Sequence, residues 1–410
     1  MRVCVLTVGR SAFSQPLYGK EAASLQRAGN AVTIIAPCLA SEDPADPTTN
    51  PLGIRVVPLM RMGWGTRREK LKALPRLLRL ALRERADVYQ AMELQSLLVG
   101  AIVKLLTRAR LVYDAREHYP LAIAVNSRRG PVATRLIYAV FWLLEALLIR
   151  LFVDHAFAVD RGCLERFQRV GRPASLLTNY PRLAFAPAEL PSRQERPADR
   201  PFHLLYTGFT RRRVAVVETI KAVALLRDAG IPVRATFLGL VDDEPFVREC
   251  REAIAALGVE DRVRLVGRVG PAEVRRYLAE ADCGSLLYHP TPYTEYVTHP
   301  VKLFEYMAWG LPVICSNLPN MSRFVRDGEY GLVVDPRDPA DIAAAITRLV
   351  RDPSLAARFS ANGRRAFLER HHWEVLEPGY VGVFAQLAPD EARSGPAGVE
   401  RAESGALPGD

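Results

Sequence analysis

Thr298-His-Pro-Val-Lys-Leu-Phe-Glu-Tyr-Met-Ala-Trp-Gly-Leu-Pro-Val-Ile314 is the stretch that decides the fold of this chain. It reads as a short helix that opens at an anion-binding end and stops before a buried strand. Thr298 or His299 can cap the helix, and Pro300 suits the first helical position, where a missing N–H costs nothing. Gly310 suits a left-handed stop, and Pro312 bars continuation. The free N–H groups of the first turn, at Val301 and Lys302, then face whatever lies above the sheet edge, and phosphate is a favoured occupant. The Lys302 side chain adds a cation, and Glu305 lies one turn further along the same face.

Outward from this stretch the same grammar repeats. In the second half, 202–207, 234–238, 263–266, 284–288, 312–316 and 331–334 read as strands with helices between them. In the first half, 3–8, 32–36, 54–58, 87–90 and 111–114 read as strands, and 19–28 and 95–107 as helices. Such alternation implies an α/β fold of two Rossmann-like, doubly wound domains, with ligands at the carboxyl ends of the strands. The expected division is 1–185, a Pro/Arg/Glu-rich linker 186–201, a second domain 202–370, a last helix 371–387 and a disordered tail 388–410. Tyr206-Thr-Gly-Phe-Thr210 ends a strand, and Gly208 would let backbone approach a diphosphate closely.

The 298–314 stretch resembles the "PxKLFEYMAxGxPVI" segment of the family 4 (group 1) glycosyltransferases, which have the two-domain GT-B fold with a cleft between the domains. Asp327-Gly-Glu-Tyr-Gly-Leu-Val-Val-Asp-Pro336 is similar to the loop and strand that follow it in that family. The resemblance implies that Glu305 holds the ribose of a nucleotide-sugar donor while Val301 and Lys302 face its diphosphate. It implies phosphate contacts from Gly208 and from Arg212 or Arg213, and base contacts from Gly267, Arg268 and Val269. The family often has a second Glu eight residues before the ribose-binding one; Val297 stands there, with Glu295 nearby. The first domain departs further. Ala86-Asp-Val-Tyr-Gln-Ala-Met-Glu-Leu94 is similar to "ADVxxxHDL", with Met92 for His and Glu93 for Asp. Tyr113-Asp-Ala-Arg-Glu-His-Tyr-Pro120 is similar to "YDxHExYP", with Arg116 for His, Glu117 matching and His118 following. Glu93, Glu117 and His118 are therefore the candidate catalytic and acceptor-side groups, and the last helix is expected to cross back to the first domain. The resemblance also implies retaining chemistry, with no cofactor.

The 410 residues carry a formal charge of +10, mostly through Arg, which points to an anionic partner. Anionic lipid and phosphorylated substrates qualify; no nucleic-acid-binding module accompanies the charge. None of the six cysteines forms a CxxC pair, so reduced thiols and a cytoplasmic protein without a signal peptide are expected. No Asp-x-Asp triplet appears, and the acidic run 242–244 reads as a solvated turn, so no metal site is expected. The apolar run 136–159 is interrupted by Glu145, Arg150 and Asp154 and reads as a buried helix feeding a strand. The basic stretch 61–85 interleaves Lys and Arg with leucines, opens near Trp64 and contains Pro75, a kink or a second helix start. It is either a face for an anionic membrane or a surface helix whose leucines pack on the domain.

The sequence thus supports transfer of a sugar from a nucleoside-diphosphate donor, UDP or GDP, to a glycan, lipid-linked or envelope acceptor at the inner face of the membrane. A natural-product acceptor, a nucleotide-sugar 2-epimerase and a non-catalytic paralogue share the same sequence features.

Overall fold

The computed structural model describes residues 1–62, 67–127, 129–191, 200–240, 244–296 and 300–389. Strands β1 (Arg2–Leu6), β2 (Ala31–Leu39), β3 (Arg55–Met62), β4 (Val88–Ala91), β5 (Arg110–Ala115), β6 (His155–Ala158) and β7 (Ala174–Leu176) form one sheet, ordered β3-β2-β1-β4-β5-β6-β7. Strands β8 (Phe202–Thr210), β9 (Val233–Leu240), β10 (Val263–Val266), β11 (Cys283–Leu286), β12 (Val313–Ser316) and β13 (Gly331–Val334) form the other, ordered β10-β9-β8-β11-β12-β13. The strands in both sheets pair parallel. Strand order reverses between β1 and β4 in one sheet and between β8 and β11 in the other, which opens a crevice at the carboxyl end of each.

On the first sheet pack α1 (Ala23–Arg27), entered through a π-helical stretch Gln15–Ala22, then α2 (Arg67–Lys72), α3 (Leu74–Glu84), α4 (Leu94–Thr107), α5 (Tyr119–Val125), α6 (Pro131–Phe152) and α7 (Arg161–Arg169). The second sheet carries α8 (Val216–Asp228), α9 (Glu244–Leu257), α10 (Pro271–Glu280), α11 (Pro292–Tyr296), α12 (Val301–Ala308), α13 (Pro319–Asp327), α14 (Pro339–Arg351) and α15 (Pro353–Arg370). Helix α16 (Trp373–Leu387) returns to the first domain, where Trp373, Tyr380, Val383 and Phe384 join its core.

One stretch differs from the sequence expectation, and in a second the structure places the leucines. The 136–159 run does not form a buried helix: of the 22 residues of α6, only Glu145, Leu148 and Ile149 are buried. Its one acidic residue, Glu145, faces inward, paired to Arg166 and accepting from the Tyr113 hydroxyl at 2.8 Å, whereas Arg150 is exposed. In the 61–85 segment, Leu77 is fully buried, and Leu74, Leu78 and Leu82 pack on the same core, so these leucines belong to the domain. Pro75 lies in the first turn of α3, so it starts a second helix. Trp64, the acidic run 242–243, residues 192–199 of the linker and the tail from 390 lie outside the described residues, as do the side chains of Arg67, Arg68 and Glu244.

The return of α16 is a chain-terminal element fixed by few groups. The Trp373 indole donates to Ser24 Oγ at 3.0 Å, and the Tyr380 hydroxyl donates to Gln90 Oε1 at 2.7 Å. Trp373→Ala should cost about 3–5 kcal/mol, the usual range for deleting a buried aromatic. Denaturant unfolding of the variant beside the parent measures it; a loss below about 1 kcal/mol would show that α16 is not part of the cooperative core.

Candidate active site

The decisive stretch folds as a helix starting one residue later than its capping chemistry suggests. Pro300 is the N-cap of α12 and Val301 its first residue; 297–299, including the Val297 position, lie outside the described residues. Gly310 adopts a φ of +58° at the helix stop, as its placement predicts. The Tyr306 hydroxyl fixes α12 against β8: it accepts from the Thr207 N–H at 3.0 Å and donates to the Leu205 carbonyl at 3.1 Å. Gly284 on β11 makes room for that ring, since a Cβ there would lie 2.5 Å from Tyr306 Cγ.

This anchoring sets the helix start beside the loop after β8. Gly208 has a φ of +113°, and a Cβ there would lie 2.7 Å from Lys302 Nζ. The ammonium also lies 5.3 Å from the Tyr206 ring centroid. Gly239, at a φ of +88°, lets β9 approach Gly208: a Cβ would lie 2.7 Å from the Gly208 carbonyl oxygen. Next to this cradle is a cavity of about 170 Å³, lined in part by Gly208, Phe209, Gly239, Arg268 and Val269. Arg268 lies over the Phe209 ring at 5.6 Å, giving the cavity one flat, cationic wall. Gly267 does not line it; its carbonyl accepts from the Gly239 N–H at 3.1 Å and closes the β9–β10 corner.

Glu305 follows one turn behind the helix start. Burial pushes its carboxyl above the ordinary range, opposed by Lys302 and by Lys20 of the other domain. Lys20 is itself buried and donates to Asn179 Oδ1 at 2.5 Å and the Tyr180 carbonyl at 2.7 Å. Of the two candidate arginines, Arg212 turns to α9, pairing with Glu249 at 2.6 Å and lying over Phe246 at 5.3 Å. Arg213 points the other way, 6.0 Å from the Tyr293 ring.

Tyr293 marks where the two domains meet. It hydrogen-bonds with Glu117, and burial together with that carboxylate pushes its hydroxyl pKa up. Glu117 also faces Arg10, in the loop after β1. Burial works against the Arg10 cation, but Tyr119, Glu93, Glu117 and Asp114 outweigh it and push its pKa up. Arg10, Lys20 and Tyr293 were not singled out in the sequence; Gly9-Arg10 directly after the first strand was the available signal for Arg10.

The other first-domain candidates make contacts within the scaffold. Glu93 is buried, accepts from the Thr7 hydroxyl and from the Val8 and Gly9 N–H groups at 3.3 and 3.2 Å, and caps α4 with Ser96. Arg116 does not reach the cleft: it is buried between Glu21 and Asp114, donating to Asp114 Oδ2 at 2.7 Å. Gln90 ties both carboxylates together, at 2.7 Å to Glu21 and 3.3 Å to Asp114. His118 caps α5 and lies 3.5 Å from the Tyr138 hydroxyl of α6. Burial, then Arg166, lowers its pKa to about 3, so the ring is neutral.

Family models for "Glycosyl transferases group 1" match residues 189–366, and for "Glycosyl transferase 4-like domain" residues 19–182. The chain belongs to the family 4, group 1 glycosyltransferases. A lipopolysaccharide core biosynthesis glycosyltransferase, LpsE of Rhizobium meliloti, is 26% identical over 55% of this chain and 62% of its own length. This chain spans less than two thirds of the length of the curated relatives it matches. Among solved structures, sucrose-phosphate synthase from Thermosynechococcus elongatus superposes with a TM-score of 0.73, at 20% identity over 96% of this chain and 100% of its own. Anabaena HepE in complex with UDP and glucose superposes at 0.69, with 17% identity over 94% of this chain and 100% of its own. The fold is GT-B.

Two predictions follow from these environments. Folding raises the Glu305 carboxyl pKa, so its ionised form costs stability that appears as pH rises through the carboxylate range and persists at neutral pH. Glu305→Gln should therefore leave the unliganded protein as stable as the parent at neutral pH, or more so. Nucleoside-diphosphate binding should weaken by about 1.5–3 kcal/mol. Thermal melts and calorimetry read the two effects; unchanged affinity would remove Glu305 from the donor site. His118 behaves in the opposite sense. The unfolded imidazole takes a proton below about pH 6.5, whereas folded His118 does so near 3, so stability falls as pH drops through that window. His118→Gln should flatten part of the fall; His155, held near 4 by burial, retains the rest. A variant whose acid melting curve parallels the parent's would refute the buried, neutral ring.

Proposed function

We propose that this chain transfers a sugar from a nucleoside-diphosphate sugar, UDP- or GDP-linked, to a lipid-linked or envelope glycan acceptor, with retention of configuration. The observation that carries the reading is the junction of α12 with β8. There a helix start, the Lys302 ammonium and the Gly208 turn converge beside a cavity of about 170 Å³ with a flat wall. The diphosphate would take the helix start and Lys302, the base the cavity beside Arg268 and Val269, and the ribose hydroxyls Glu305. As the sugar leaves, negative charge grows on the diphosphate, where the helix dipole, Lys302 and Arg213 oppose it without reorganising. Glu117, with Arg10 and Tyr293 around it, faces the first-domain side and would orient the acceptor hydroxyl. The likeness to HepE, solved with UDP and glucose, and to the lipopolysaccharide core enzyme supports the reading. The protein would work at the inner face of the cytoplasmic membrane, where the cations of 61–85 add attraction to anionic lipid.

A thermal-shift panel of UDP, GDP, ADP and TDP tests the donor half. The cognate nucleotide at a hundred times its dissociation constant should stabilise by about 2.7 kcal/mol. The shift should survive chelator, because protein cations face the diphosphate. No response to any of the four, or one that vanishes with chelator, would overturn the donor assignment as drawn. Proton NMR of the transferred sugar tests retention, and an inverted anomeric centre would refute it.

A further inference from the structure

Helix α6 is apolar on both sides. Its inner side packs on the first domain through Phe141, Leu144 and Leu148, and its one acidic residue, Glu145, is buried against Arg166. Its outer side carries Val132, Leu136, Val140, Leu143, Leu147 and Leu151, a continuous stripe at three- and four-residue spacing, all exposed. Leu98, Ile102, Leu105 and Leu106 of the neighbouring α4 extend it, with Leu105 66% exposed. A contiguous patch of this kind on a soluble domain marks an interaction surface. Among the described residues α6 is the helix long and apolar enough to cross a membrane, but its inner face is committed to the domain.

We infer that the outer face of α4 and α6 lies in the headgroup–acyl boundary of an anionic bilayer, parallel to its plane, and docks the first domain there. Charge decides between a bilayer and a second copy of the chain. The charged side chains of α4 and α6 other than buried Glu145 are Lys104, Arg135 and Arg150, with Arg108 and Arg129 exposed at the helix ends. Lys104 is held by Asp154, but two such faces brought together would still oppose the four arginines to one another, whereas anionic headgroups complement all four. Trp142, exposed on α6, is suited to the boundary layer. This surface is separate from the basic segment 61–85, where Leu74, Leu77, Leu78 and Leu82 pack on the domain and Leu71 is exposed, and the inference does not rest on the proposed transfer reaction.

The test is co-sedimentation of the whole protein with phosphatidylcholine vesicles, with and without phosphatidylglycerol. The parent should bind the anionic vesicles, and Trp142 emission should shift to the blue; Trp142→Phe should abolish that shift. The double variant Leu136→Gln, Leu143→Gln should bind about tenfold more weakly, with its melting temperature unchanged. Absence of parent binding, or equal binding by the double variant, overturns the proposal. So does loss of binding on Lys70→Gln, Lys72→Gln, Arg79→Gln while the leucine variant still binds, which would return the contact to 61–85. A parent dimer that the leucine variant splits, with no vesicle binding, would assign the face to a second copy. Equal binding to phosphatidylcholine alone would overturn the choice of an anionic surface. Nucleotide thermal shifts on the same samples report the donor site separately, so failure of one reading does not mimic failure of the other.

Discussion

The Tyr306 hydroxyl sits in the core between the Thr207 N–H and the Leu205 carbonyl, and it locks helix α12 to the carboxyl end of β8. Everything in the donor half depends on this lock. With the helix held there, Lys302 passes over Gly208, whose φ of +113° is the left-handed region that favours glycine. The same close approach requires Gly239 on the neighbouring strand, whose N–H is held by the Gly267 carbonyl. Three glycines and a tyrosine thus fix where a helix start, a cation and a cavity meet. Glu305, one turn deeper, is held by burial against its own ionisation.

The first domain is arranged around buried charge. Arg116, Glu21, Asp114 and Gln90 form a closed network under the π-helical stretch, and Tyr380 of α16 binds its edge. Breaking one member would leave the others unpaired in a low-dielectric interior, which is far more costly than the network is stabilising. A positive residue at 116 is therefore a structural choice. It neutralises two carboxylates that would otherwise be buried side by side, and it leaves the cleft surface to Arg10, Glu117 and Tyr293. Glu145 with Arg166 does the same under α6, and so keeps acidic charge off the outer side of that helix.

What the sequence disclosed follows from how local each determinant is. The alternating strands, the helix stop at Gly310 and the turn at Gly208 depend on neighbours within a few residues, and both doubly wound sheets were legible for that reason. The direction of Arg212 was not, because it is set by Glu249, 37 residues away. Tyr293 was invisible because its partner, Glu117, lies in the other domain. Glu93 read as a strand-end carboxylate, yet the loop after β1 consumes it through contacts that no spacing rule reveals. Helix α6 was misread as buried because an apolar run with charges in it reads as core, and nothing local shows that its acid is taken inside by an arginine of another helix while the outer side stays exposed.

The cleft and the outer apolar face approach each other at α5. Its N-cap, His118, directly follows Glu117 at the cleft, and the His118 ring packs on Tyr138 of α6 at 5.7 Å between centroids. Leu136 and Val140, on the outer side of α6, lie within a turn of Tyr138 along the helix. A helix with its side chains is about 10–12 Å across. The proposed lipid-facing surface and the acceptor side of the cleft are therefore separated by about one helix diameter, through a single layer of packed side chains. A soluble acceptor would gain nothing from that spacing. An acceptor anchored in the leaflet would have its sugar held near the depth of Glu117, since docking on α6 fixes the height of the cleft above the lipid. Anchoring confines the acceptor to a thin layer and raises its effective concentration at the site. The apolar stripe on α6 would then serve the reaction by placing the cleft, although none of its residues touches a substrate.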